Sequence, residues 1–234
     1  MIHVSFQGER GAYSEAAARS FFNEEIETIP HTTFAEVLEN TSMDKTEYAI
    51  LPVENSLEGS VGESYDLLYS TSLNATGEIY HRIEHCLIGI GKLEEVDTIY
   101  SHPQALGQCR KFIEQHNMKT IPAYDTAGSV KIVKELNKKN CACIASKAAS
   151  IIHKMPVIAE NVANNLDNYT RFLILSKTNS PETGNDKTSI IFSIKHEPGS
   201  LHRIIENFHK ENVNLTKIES RPTKTNMWEY NFYV

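Results

Sequence analysis

The sequence predicts an α/β fold followed by a smaller α+β unit, and three observations predict it. Short apolar runs alternate with glycine-bearing turns and segments of helical spacing, the alternation that builds parallel sheet with covering helices. Loops that follow apolar runs carry carboxylates, amides and hydroxyls, where open α/β sheets bind ligands. A polar stretch with proline and glycine at 177–186 then breaks the composition. The residues after it read strand, helix, strand, strand, one helix and one strand short of a ferredoxin-like unit.

Taken in order, residues 4–6 open a strand, which the turn Gln7-Gly8-Glu9-Arg10-Gly11 breaks before a helix at 13–22. A short strand at 26–29 precedes a helix that Thr33 caps, with Glu36 placed for a capping box. The strand at 48–51 stops at Pro52. Two longer strands, 74–80 and 84–90, carry the chain into a second lobe. The strand ending at Tyr100 leads into a helix running through His116, with Ser101 as its N-cap and Pro103 in its first turn. Asp125-Thr126-Ala127-Gly128-Ser129 repeats that pattern, with Asp125 or Thr126 as cap. A buried strand at 141–145 and a short helix at 146–152 come next, and a polar loop at 160–168 leads to another apolar run.

Composition narrows the function. The chain has 234 residues, 40% hydrophobic and 23% charged, which is ordinary for a globular protein. A net charge of −7 argues against a nucleic-acid surface. The most basic run, 131–139, has the spacing of a solvated helix face. No apolar run approaches the length of a membrane span, and Met1-Ile2-His3-Val4 reads as a first strand, not a signal peptide. Cys86, Cys109, Cys141 and Cys143 lack CxxC spacing and sit in apolar segments, as reduced core residues of a cytoplasmic protein would.

The chemistry is expected at Asn168-Tyr169-Thr170-Arg171-Phe172, just before the buried run Leu173-Ile174-Leu175. A hydroxyl, a fixed cation and an aromatic ring stand there in succession on a rigid base. A hydroxyl beside a guanidinium suits a carboxylated substrate with a leaving group to protonate. The plainer reading has Thr170 starting a strand, Arg171 as a surface charge and Phe172 in the core. The loop Pro52-Val53-Glu54-Asn55-Ser56-Leu57-Glu58-Gly59-Ser60 is a second ligand-binding candidate, or a polar turn with Ser60 as helix cap. His81 and His85 have zinc-like spacing, but two ligands on a strand do not make a metal site. Gly89-Ile90-Gly91 lacks the third glycine of a dinucleotide turn.

In order along the chain, Gly11-Ala12-Tyr13-Ser14, the loop from Pro52 to Gly59, Ser101-His102-Pro103-Gln104 through Cys109, Asp125-Thr126-Ala127 and the pentapeptide at Thr170 resemble the motifs of the prephenate dehydratase family. Gly199-Ser200-Leu201 and Glu219-Ser220-Arg221-Pro222 resemble the ligand motifs of that family's regulatory ACT domain. The resemblance implies a two-lobed, periplasmic-binding-protein-like (type II) domain over 1–177, with lobe 1 at about 1–76 and 160–177 and lobe 2 at about 77–159. It implies a linker at 178–187 and an ACT-like domain at 188–234. It implies decarboxylating dehydration of prephenate to phenylpyruvate without metal or organic cofactor. Thr170 would then help the leaving hydroxide depart, Arg171 would pair with a carboxylate, and Phe172 would pack beneath the ring or in the core. Asn55, Ser56, Ser101, Gln104, Thr126, Asn168 and, less comfortably for an anionic substrate, Glu54 would bind it.

Three departures from the family pattern stand out: Asn164 in place of an aspartate, Ser200 in place of an alanine, and an end at Val234 where relatives continue. By resemblance, Gly199, Ser200, Leu201, Asn214, Leu215, Glu219, Ser220, Arg221 and Pro222 would bind L-phenylalanine between paired chains, in a homodimer or homotetramer. The third departure leads to the expectation that this feedback is impaired while catalysis stays intact. Two rival readings are an arogenate dehydratase and a non-catalytic binding module of the same fold.

Overall fold

The structure, a computed structural model, describes residues 1–224 and 228–234. It divides into two units, Met1–Ser180 and Pro181–Val234. In the first unit the chain runs through β1 (Ile2–Gln7), α1 (Tyr13–Phe21), β2 (Ile26–His31), α2 (Phe34–Ser42), β3 (Tyr48–Asn55), the short β4 (Gly59–Ser60), α3 (Gly62–Ser70) and β5 (Asn74–Arg82). It then crosses to β6 (Cys86–Gly89), β7 (Thr98–Ser101), α4 (Pro103–Gln108), α5 (Arg110–Gln115), β8 (Lys119–Pro122), α6 (Ser129–Leu136), β9 (Cys141–Ala145), α7 (Lys147–His153) and β10 (Val157–Ala159). Finally β11 (Tyr169–Ser176) returns to the first lobe.

Each lobe is one sheet with helices packed on it. The first sheet has the order β2-β1-β3-β11-β5, with β4 folded back on β3; the second has the order β10-β6-β9-β7-β8. Neither is purely parallel as the alternation predicts. In the first sheet β1 runs parallel to β2 and β3, whereas β11 is antiparallel to both β3 and β5. The reason is the returning strand: a segment that re-enters from the other lobe needs no crossover helix and can pair head to tail.

The lobe boundary also moves. Asn74–Arg82, expected to begin the second lobe, pairs with β11 along its length and closes the first sheet. Tyr169 to Ser176 is nearly continuous in burial, so both of its edges need partners, and β5 supplies the second. Nor does β3 end at Pro52: it continues to Asn55. Proline cannot donate to a ladder, and the register against β11 slips just here, from Arg171↔Glu54 to Phe172↔Pro52. The slip lets Asn55 come opposite Thr170.

Thr33 caps α2 in a complete capping box, as its spacing predicts. Ser101 does not cap α4: it is the last residue of β7, and His102 takes the cap. The helix expected to run through His116 breaks at Cys109 into α4 and α5. In the second lobe, apolar residues including Leu87, Ile99, Ile113 and Ile144 form one core, and Ile88, Val130, Val133 and Cys143 another. Val4, Phe6, Ile50, Phe172 and Ile174 form the core between α1 and the first sheet.

The second unit comprises β12 (Ile191–Ser193), α8 (Ser200–Lys210), β13 (Glu219–Pro222) and β14 (Tyr230–Tyr233), its strands antiparallel in the order β12-β14-β13. β13 starts at Glu219, so Glu219, Ser220, Arg221 and Pro222 form that strand. Asn214 and Leu215 lie in the preceding loop.

Candidate active site

A cleft in the first unit is lined from both lobes. The first lobe contributes the turn after β1 and the start of α1, the start of α2, and Asn55, Thr170 and Phe172 from adjacent strands. The second contributes His85, His102, Gln104 and Gln108, the turn at Asp125 and Thr126, and Ser146. The described residues lining it include no lysine and no arginine. An anionic substrate would meet neutral donors and helix starts here in place of opposite charges, with the carboxyl groups of Glu63 and Asp125 also in the wall.

Behind the cleft wall lies a row of side-chain hydrogen bonds whose direction the backbone sets. The amides of Leu57 and Glu58 each donate to Asn55 Oδ1 at 3.0 Å, an Asx turn. The other end of Asn55 is therefore its NH2 group. That group donates to Asn168 Oδ1 at 2.7 Å and to Thr170 Oγ1 at 3.0 Å, with Tyr169 O a longer acceptor at 3.2 Å. Asn168 must then turn its own NH2 outward, and it donates to Gln108 Oε1 at 3.0 Å. The same Gln108 oxygen faces His85 Nε2 at 2.8 Å, so that nitrogen carries a proton. Gln108 Nε2 donates to Glu58 Oε1 at 3.3 Å, joining the second lobe back to the first.

His85 is 2% exposed. Burial holds its pKa below the ordinary histidine range, with the Gln108 bond opposing. The Tyr13 hydroxyl donates to Glu84 O at 2.7 Å and lies 2.9 Å from His85 Nδ1, so both ring nitrogens of His85 have a polar neighbour. The end of the row that reaches the cleft is Thr170. It is 9% exposed, and its oxygen accepts from Asn55, so its proton is left to point into the cleft. Asp125, also in the cleft wall, has its pKa raised by burial, against the bond from the Gly128 amide, which donates to its Oδ1 at 2.6 Å.

The expected site residues divide. Thr170, Phe172, Asn55, Gln104 and Thr126 come together in the cleft wall. Phe172 does so while packed in the first-lobe core. Asn168 is fully buried behind the wall as a link in the row. Ser56 is exposed outside it, donating to Asp167 O at 3.2 Å and accepting from the Tyr169 amide at 2.9 Å, which ties the turn to β11. Glu54 sits half-buried on β3 opposite Arg171, away from the cleft wall.

Two expectations are corrected. Ser101 is fully buried, and its hydroxyl donates to Ile144 O at 2.6 Å, pinning β7 to β9 behind the cleft wall. Arg171 points to the opposite face of β11 from Thr170, since strand neighbours alternate. There its Nε donates to Glu78 Oε2 at 2.7 Å in a largely buried ion pair.

Sequence reasoning missed Ser14, Tyr13, His85 and Gln108. Gln108 was findable, since it stands one helical turn beyond Gln104 in the same motif. His85 stands out in the sequence only through its metal-like spacing from His81. In the second unit, Gly199, Ser200 and Leu201 line a pocket with Tyr230 and Phe232. Ser200 there accepts from Arg203 Nη2 at 2.9 Å.

Comparison with known proteins agrees with this geometry. Residues 4–180 match the family model for prephenate dehydratase. The chain is 35% identical over 236 residues to the bifunctional chorismate mutase/prephenate dehydratase of Aquifex aeolicus, covering 100% of this chain and 65% of that protein. It is 38% identical over 227 residues to arogenate dehydratase/prephenate dehydratase 1 of Arabidopsis thaliana, covering 95% of this chain and 58% of that one. The chain thus spans less than two thirds of the length of these relatives. Among solved structures, it resembles a prephenate dehydratase from Arthrobacter aurescens in complex with L-Phe, at 29% identity and TM-score 0.90 over 99% of this chain and 79% of that one. It also resembles GqqA, described as a novel type of quorum-quenching acylase, at 31% identity and TM-score 0.87 over 99% of this chain and 85% of that one. By its motifs, its fold and its match to the family model, the chain belongs to the prephenate dehydratase family.

Proposed function

We propose that the chain converts prephenate to phenylpyruvate, carbon dioxide and water. The observation that carries this reading is the hydroxyl of Thr170, oriented as a donor by Asn55 in a cleft whose described lining holds no lysine or arginine. As the bond from the ring to its carboxylate breaks, its electrons enter the ring and leave with the ring hydroxyl, so the ring becomes aromatic. One proton is consumed per turnover, since a dianion becomes a monoanion plus two neutral molecules. Thr170 donates its hydrogen bond to the departing hydroxyl as negative charge builds there. A neutral hydroxyl is a weak acid, so proton transfer accompanies departure and does not precede it. The aromatic product provides the driving force, and the protein's task is orientation plus this one bond.

A second reading, arogenate as substrate, is favoured by Asp125, whose carboxylate in the cleft would meet an ammonium group. Acyl hydrolysis is less well supported. Ser146 Oγ donates to Gly11 O at 2.6 Å and accepts from the Ala149 amide at 3.0 Å, while both ring nitrogens of His85 are engaged. For the second unit, L-phenylalanine is the proposed ligand: its pocket pairs the start of α8 with two aromatic rings. A homo-oligomer would place two such pockets together. Four buried free cysteines support a reducing compartment such as the cytoplasm, and among the described residues no helix is long and apolar enough to cross a membrane. The deciding experiment compares turnover of prephenate and arogenate by the same preparation. Faster phenylpyruvate formation supports the proposal, faster phenylalanine formation supports the second reading, and neither product above the uncatalysed rate overturns both.

A further inference from the structure

The cleft has a polar side chain without a partner. Ser14 is 8% exposed and faces the cleft, and no hydrogen bond to its hydroxyl is made by any described residue. Its oxygen opens onto the cleft, so the hydroxyl is available to a ligand that enters there.

Ser14 stands in the first turn of α1, a helix of nine residues whose N-cap, Ala12, has no side chain able to cap it. Among the described residues the amides of Tyr13, Ser14 and Glu15 also have no partner. Of the other two nine-residue helices that start at the cleft in the first lobe, α2 is closed by its own Thr33–Glu36 capping box, and α3, uncapped at Val61, carries the carboxylate of Glu63 in its first turn and in the cleft wall. The open start of α1 is held rigidly. Gly11 adopts a φ of +91° and its Cβ position would lie 2.6 Å from Ala149 Cα, so α7 of the other lobe abuts the turn. The Ser146 hydroxyl donates to Gly11 O at 2.6 Å, and the Gly11 amide donates to Glu15 Oε2 at 2.6 Å. The Glu15 charge does not compete for the free amides, since its other oxygen accepts from Arg19 at 3.0 Å and from Thr28 at 2.7 Å.

We propose that the start of α1, with the Ser14 hydroxyl and the free amides beside it, is the subsite for the substrate carboxylate that survives the reaction. The inference rests on the dehydratase reading above. Electrostatics favours the surviving group. The carboxylate that leaves as carbon dioxide gives up its charge in the transition state, so a helix start gripping it would stabilise the ground state and slow the reaction. The side-chain carboxylate keeps its charge throughout and can be held tightly without penalty. In a cleft without lysine or arginine, an uncapped helix start is the strongest fixed positive potential available.

The test is Ser14→Ala, a small buried change, with substrate kinetics and product binding read together. The expected result is a KM for prephenate raised about tenfold, the loss of one hydrogen bond to a charged group. Product binding by phenylpyruvate, measured by calorimetry, weakens by a similar factor, because the product retains that carboxylate. The kcat stays within about threefold, and the melting temperature stays close to that of the parent. Unchanged KM and product affinity would overturn the proposal. So would a raised KM with unchanged product affinity, which would place the departing carboxylate there, or a fall in kcat alone, which would place Ser14 at the reacting atoms. If the parent chain makes no phenylpyruvate, the dehydratase reading fails, whereas the product-binding comparison still decides whether α1 holds a carboxylate.

Discussion

Asn55 takes no part in bond making, yet it decides what Thr170 can do. Its orientation is fixed by two backbone amides, and through it the Thr170 oxygen is filled as an acceptor and freed as a donor. Asn55→Asp keeps size and shape but puts an acceptor where the NH2 was. Thr170 would then donate to residue 55, away from the cleft, so kcat is expected to fall by about two powers of ten with Thr170 itself untouched. Steady-state kinetics on prephenate, alongside a melting curve to verify folding, checks this; a kcat within threefold of the parent would refute it. At the other end of the row, His85 carries a pH signature. Its folded pKa is depressed, so the unfolded chain takes up the proton first as pH falls. The stability it contributes is present above about pH 6.5 and is lost as pH drops through the folded value. His81, His31 and His153 are depressed too, so the comparison must be by difference. His85→Asn should lower the melting temperature at pH 7.5 and lose less between pH 6.5 and 5 than the parent does. Parallel curves would contradict the neutral-histidine assignment.

At the scale of elements, β11 explains why one motif holds residues with unrelated jobs. Alternation sends Thr170 and Phe172 to one face and Arg171 to the other, where Glu78 of the neighbouring strand meets it. Arg171→Lys should therefore leave kcat within about threefold while costing about 1 kcal/mol of stability, the difference between a guanidinium and an ammonium in a partly buried pair. Kinetics and chemical denaturation measure the two quantities, and a tenfold fall in kcat would return Arg171 to the chemistry. Such assignments show what the sequence could and could not disclose. Period and turn chemistry disclosed the strand at Thr170, the capping box at Thr33 and the break in composition before the second unit. They could not disclose that Pro52 lies inside a strand, because only the slipped pairing with β11 makes that tolerable. Nor could they separate Ser101 as a pin between strands from Ser101 as a ligand, because a serine before a proline suits a cap equally well.

For the whole molecule, the cleft is assembled from segments far apart in the chain. Tyr13 meets His85, Asn55 meets Asn168, and Gln108 links Asn168 and His85 to Glu58. No local pattern foretells those pairings, which is why the row of hydrogen bonds is invisible in the sequence although the motifs contain most of its members. The motifs located the cleft, and the fold was needed to say which side chains face it. Gln108 joins the two lobes through three side-chain partners, so the bridge between the lobes and the orientation of Thr170 are properties of one network.

The most direct test of the account is the kcat of Thr170→Val on prephenate. Valine matches threonine in shape and β-branching and removes only the hydroxyl. The account predicts a kcat lower by about two to four powers of ten, with KM changed little, because the hydroxyl acts on charge that appears only in the transition state. A Thr170→Val variant that turns over prephenate within tenfold of the parent would contradict it.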